Sequence, residues 1–261
     1  MVQEEKFIHK VSKGSRFNQI YIPLGMNGIF EIGDIVEIKL LRKKVSFYYS
    51  KNLKKLSNYK ENLAKELFSF LSGFKEIKQA FIVGSFLTSK IDYNDIDILL
   101  ISDKNIENEV YQSLIEKFNI KFHVITIPAH RFEYLIYSCP LTRSMLSYFV
   151  SNKEFILPSQ NKLDINHIRF LLMTPEDLLE VNLGSRAYYD SIRRLITIES
   201  FLENKPVDIL KINNQLTKIT GESLFSLIKN NEIIENGQIK FLREIIKRKL
   251  DLIKNKLNKL K

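Results

Sequence analysis

The sequence predicts an α+β protein in three parts: a small N-terminal β module over residues 1–45, a central mixed α/β domain over 46–160, and an all-α helical domain over 161–261. Three observations carry this reading. β-Branched runs punctuated by glycine turns fill the first forty residues. Apolar strand-like runs then alternate with helical spacing, and no strand-like run follows about residue 166.

In the first part, Gln19-Ile-Tyr-Ile-Pro23 and Asp34-Ile-Val-Glu-Ile-Lys-Leu-Leu41 read as strands, with turns at Gly25, Asn27-Gly28 and Gly33-Asp34. About forty residues bury too little surface to stand alone, so this module pairs with a second copy or docks on its neighbour. In the middle part, Leu53, Leu56, Leu63, Leu67, Phe70 and Leu71 predict one or two helices ending at Ser72-Gly73. A strand Gln79–Val83, a loop Gly84–Asn94 and a strand Asp95–Ile101 follow. A helix over 107–118, a strand Lys121–Ile127 and a helix over 131–150 complete the domain. The last part predicts helices over 163–172, 175–202, 206–219 and 239–260. The second opens on Thr174-Pro175-Glu176-Asp177 as cap, first-turn proline and acidic first turn, and Gly184-Ser185 is a candidate break within it. Leu242, Ile246, Ile253 and Leu257 form an apolar stripe on the closing helix.

A hydrophobic content of 44% with 27% charged residues places the chain among globular proteins. No apolar run approaches the roughly 20 residues of a membrane span, and the N-terminus has no apolar signal region. The single cysteine, Cys139, excludes an internal disulfide and a multi-cysteine zinc site. Together these features point to a cytoplasmic protein, and the lysine- and isoleucine-rich usage points to a prokaryotic source. The net charge of +10 is uneven: residues 42–60 carry seven Lys or Arg and no acid, and residues 240–261 carry nine against two acids. Such segments either contact a polyanion, RNA or DNA, or are solvated faces of lysine-rich helices.

The chemistry concentrates between Phe81 and Ile101. With side chains alternating along a strand, Asp95 and Asp97 share one face while Ile96 and Ile98 take the other. Like charges this close are costly unless a cation lies between them, and two carboxylates suit a hard ion such as Mg²⁺ (or Mn²⁺) shared with phosphate oxygens. Gly84-Ser85 ends the preceding strand; glycine permits close approach, and the Ser85 hydroxyl with the following amides suits an anion.

Val83-Gly84-Ser85, then nine residues, then Asp95-Ile96-Asp97 between apolar strands resembles the signature of the nucleotidyltransferase superfamily (the polymerase-β-like fold, in its minimal form) over about residues 60–158. The resemblance implies an NTP substrate such as ATP, with Gly84 and Ser85 on the triphosphate and Asp95 and Asp97 on the metals. An acceptor hydroxyl on RNA, protein or a small molecule would attack the α-phosphate in line, and pyrophosphate would leave. The family's third carboxylate corresponds to His123, which either serves as a base or marks a degenerate site. Thr88 stands where an arginine is common, with Lys90 as a candidate phosphate contact. Asp92 is an additional ligand or a turn residue, and Arg143 faces the pocket or packs a helix. Arg186, Tyr188, Tyr189, Arg193 and Arg194 form a basic-aromatic cluster that either meets a nucleotide or RNA or belongs to the core.

The segment from Val11 to Pro23 with Phe30-Glu-Ile-Gly-Asp-Ile-Val-Glu-Ile38 resembles the AbrB-type swapped-hairpin DNA-binding modules, which implies a homodimer through the N-terminal module and DNA binding. The alternative to a transferase is a non-catalytic, nucleotide-sensing or DNA-binding regulator of antitoxin-like kind.

Overall fold

The computed structural model describes residues 7–26, 28–39, 45–88, 93 and 95–259. The chain divides into two compact units, Met1–Lys43 and Lys44–Lys261.

In the first unit, β1 (Ser12–Lys13) pairs antiparallel with β2 (Asn18–Gln19), and a 3₁₀ turn spans Leu24–Met26. The expected strand Gln19–Pro23 therefore pairs only at its start. Residues 34–39 of the second expected strand join no ladder; Leu40 and Leu41 lie outside the described residues. A strand needs a neighbouring edge for its N–H and C=O groups; beyond the β1–β2 pair and a bridge at Phe30, the described residues of this unit form no ladder. No described residue between Phe7 and Lys39 is buried, and Ile8, Phe17, Ile32, Ile35 and Ile38 are among its exposed apolar side chains.

The second unit is built on a five-stranded sheet of β3 (Tyr48–Tyr49), β4 (Gln79–Val83), β5 (Ile96–Ile101), β6 (Phe122–Ile127) and β7 (Val150–Ser151), in the order β3-β7-β4-β5-β6. Only β5 and β6 run parallel. Alternation along β4 and β5 sends Ala80, Ile82, Ile96 and Ile98 to one face. There they meet Leu63, Leu67 and Phe68 of α1 (Asn58–Leu71) and Val110 and Leu114 of α2 (Glu107–Phe118). Phe81, Val83, Leu99 and Ile101 point the other way, against Phe132 and Ile136 of α3 (Ala129–Ser138) and against Leu146 and Phe149. Two helix ends are set locally: Ser57 caps α1 by accepting from the Lys60 amide, and Asn119 closes α2 in the left-handed conformation at φ 50°.

The single helix expected over 131–150 is two. Proline has no N–H and cannot continue α3, so Pro140 instead opens α4 (Pro140–Met145), and Val150–Ser151 turns back into the sheet beside β4.

The C-terminal helices are α5 (Ile165–Asp177), α6 (Ser185–Leu202), α7 (Ile209–Thr220), α8 (Glu222–Lys229) and α9 (Asn236–Lys259). α6 is the central helix, with Tyr188, Ile192, Leu195 and Ile196 buried among the others. Leu135 and Cys139 of the α3 segment enter the same core, so the sheet layer and the helices share α3. Thr174-Pro175 does not open a helix as the sequence suggested. α5 begins at the Asp164 cap, which accepts from the His167 amide at 2.9 Å, and runs through Pro175. Pro175 has no N–H for the Leu171 carbonyl one turn back. Arg194 of α6 supplies the donor instead, its Nη1 lying 3.3 Å from Leu171 O and 3.0 Å from Thr174 Oγ1. Among the described residues no helix is long and apolar enough to cross a membrane.

Candidate functional site

β4 delivers the glycine turn and β5 the carboxylates. Because β4 and β5 are antiparallel with Val83 opposite Asp97, the residue after Val83 must leave the sheet beside the Asp97 side chain. Gly84 does so at φ +79°, and a Cβ built there would lie 2.0 Å from Asp97 Oδ2. Glycine is thus required twice, by the backbone conformation and by the carboxylate against it. Ser85 follows, exposed, and opens a 3₁₀ turn over Ser85–Leu87. The Thr88 hydroxyl and amide both donate to Ser85 O, at 2.8 and 3.0 Å, so Thr88 closes this turn.

Asp97 sits between buried Ile96 and Ile98 and keeps 30% of its side chain exposed. Asp95 immediately precedes the strand. Burial pushes the Asp97 carboxyl above the usual carboxylate range; the His123 hydrogen bond opposes the shift and the Asp95 charge adds to it. The parallel register puts His123 directly opposite Asp97, with Nδ1 3.1 Å from Oδ1 and 60% of the imidazole side chain exposed. The Arg193 charge, on α6, weakly favours the ionised Asp97, while the guanidinium itself lies 3.6 Å from the Asp190 carboxylate.

Gly84, Ser85, Asp95, Asp97 and His123 are therefore brought together at one end of β4, β5 and β6. Among the described residues no three His, Cys, Asp or Glu side chains converge as a metal cluster. Lys90, Asp92 and Asn94 lie outside the described residues. Arg143 does not reach the site: it is 6% exposed and donates to the carbonyls of Ile136, Pro158 and Gln160, tying down the chain after the sheet.

The basic-aromatic cluster on α6 divides. Tyr188 is fully buried, and Tyr189 is 3% exposed with its hydroxyl on Asn213 at 3.2 Å. Arg194 serves α5, and Arg186 stacks on Tyr189 and donates to Lys229 O. Arg193 lies 3.6 Å from the Asp190 carboxylate and 5.5 Å from the Tyr189 ring centre.

Sequence reasoning passed over Lys60, counted only as part of a basic segment. It is buried at 6% exposure and donates to Thr88 O at 2.8 Å. Its only sequence signal is a lysine in the first turn of a helix, where the macrodipole disfavours a cation.

No protein-family model and no curated protein matches the chain. Among solved structures it is similar to spectinomycin adenyltransferase AAD(9) from Enterococcus faecialis, solved with ATP and spectinomycin. The two are 12% identical over 74% of this chain and 100% of that one, with a TM-score of 0.45. A likeness this distant does not establish a shared activity.

Proposed function

We propose that residues 46–160 form a metal-dependent nucleotidyltransferase domain that moves an NMP from an NTP to a hydroxyl acceptor. The observation that supports it best is the contact between Gly84 and Asp97: without a Cβ, the turn that ends β4 lies directly against a carboxylate of the acidic pair. Two carboxylates fit a divalent ion that takes its other ligands from water and triphosphate oxygens, the usual habit of Mg²⁺. Asp95 and Asp97 would hold Mg²⁺ or Mn²⁺, whose charge offsets that of the triphosphate. Gly84 and the Ser85 hydroxyl would take the phosphates. His123, with Nδ1–H given to Asp97, would leave Nε2 to accept the proton of the acceptor hydroxyl.

RNA is the acceptor class favoured by the basic segments 42–60 and 240–261. Part of the second is otherwise engaged: Lys249, Lys254 and Lys256 of α9 pair with Glu199, Glu176 and Glu203. Lys240, Lys247 and Lys259 remain exposed. The N-terminal module, taken as residues 1–45, is proposed to complete itself with a second copy, because its own described residues do not bury one another.

A nucleotide-sensing regulator is the second reading, favoured by His123 standing where a third carboxylate is expected. Purified protein incubated with Mg²⁺, total cellular RNA and ATP labelled at either the α- or the γ-phosphate separates the two. Transfer gives covalent α-label that disappears in the Asp95→Ala/Asp97→Ala variant, and no covalent γ-label. Bound but never covalent nucleotide supports the sensor and refutes transfer.

A further inference from the structure

The Gly84-Ser85 turn and the Asp95/Asp97 pair are separate in sequence, and a site made from both requires the connection between them to be held. On the described residues, one side chain reaches both of its ends. Lys60 Nζ donates to Thr88 O at 2.8 Å and lies 5.4 Å from the ring centre of Phe86, on the turn side. It lies 5.3 Å from the ring centre of Tyr93, on the aspartate side. The two rings meet edge to face at 5.1 Å and 88°.

This placement is costly on local grounds. Lys60 is in the first turn of α1, where the helix dipole repels a cation, and burial lowers its pKa. A carbonyl and two aromatic faces offset part of that cost. A local rule broken beside a candidate site is where a positioning role is expected.

We propose that Lys60 is a positioning residue: by bracing Phe86 and Thr88 to Tyr93, it fixes the spacing between the phosphate-binding turn and the acidic pair. The inference rests on the nucleotide reading of that site. Its test uses the full chain and the variants Lys60→Met and Lys60→Arg, with two readouts. One is Mg²⁺–ATP affinity by titration; the other is hydrogen exchange of peptides covering Ser85–Thr88 and Tyr93–Asp97 without nucleotide. Lys60→Met is expected to raise exchange in those peptides about tenfold and to weaken Mg²⁺–ATP binding about tenfold or more, with α6 and α9 exchange unchanged. Lys60→Arg, which keeps charge and donors, is expected to stay within about threefold of the wild type on both. Lys60→Gln keeps a donor and loses the charge over the rings; it should fall between them and serves where Lys60→Met does not fold. Unchanged local exchange and affinity in Lys60→Met overturns the brace, and so does a rise in exchange spread over α6 and α9, the mark of lost global stability. Local exchange that rises in a protein whose wild type does not bind Mg²⁺–ATP overturns the nucleotide reading and, with it, the role assigned to Lys60.

Discussion

At the scale of single residues, Gly84 is the most constrained position in the candidate site. An L side chain at φ +79° is strained wherever it occurs, and here its first carbon also meets the Asp97 carboxylate. Gly84→Ala is expected to cost about 1–3 kcal/mol of stability and to abolish the thermal stabilisation that Mg²⁺–ATP gives the wild type. Paired melts with and without Mg²⁺–ATP check both, and a variant that keeps the ligand-induced shift contradicts the site. The glycine and the two aspartates were legible because strand periodicity and chain order place them. Lys60 was not: it meets Thr88 across 28 residues, a pairing no local pattern marks.

At the scale of elements, prolines decided where the sequence reading went astray. Thr174-Pro175-Glu176-Asp177 has the composition of a helix start, yet α5 runs through it because Arg194 takes over the Leu171 carbonyl. Arg194→Met is expected to destabilise by about 1–3 kcal/mol, the cost of leaving that carbonyl without a donor. Pro175→Ala restores the amide, so in that background the same change should cost less, with a coupling on the order of 1 kcal/mol in a denaturation double-mutant cycle. Strict additivity would show that Arg194 does not substitute for the missing N–H. Pro140, by contrast, obeys its usual preference for a first turn; the apolar spacing that continues across it concealed the boundary between α3 and α4.

Helix α9 is tied back to α6 partly through charge. Lys205 and Lys256 hold the Glu203 carboxyl down at about 2. A carboxyl with a folded pKa below its unfolded value contributes stability above the unfolded value, and loses it as pH falls from about 4.5 toward about 2. Glu203→Gln should therefore lower the melting temperature at pH 6 and converge with the wild type near pH 2. Because the pair is part-exposed, the difference should also shrink in high salt. Parallel melting curves of equal separation at both pH values would remove Glu203 from the account.

At the scale of the whole molecule, the α+β class, with a mixed sheet followed by helices, was legible because helical and strand periods separate along the chain. The pairing within the first part was not, since its β-branched runs lack neighbours on the described residues. A swapped second copy would supply those edges. The full chain is expected to be a dimer in light-scattering chromatography at tens of micromolar, and a fragment starting at residue 44 a monomer with an unchanged melting transition. A monomeric full chain refutes the second-copy reading of the N-terminal module and leaves the transferase site untouched.

A divalent ion between a triphosphate and two aspartates is what the transferase reading most depends on. Mn²⁺ followed by its spin resonance, titrated with protein and ATP, reports that ion directly. The wild type should take up Mn²⁺ with ATP, and Asp95→Asn/Asp97→Asn should bind it at least about tenfold more weakly while melting no lower, since two adjacent like charges are removed. Equal Mn²⁺ uptake by the two proteins would contradict the account.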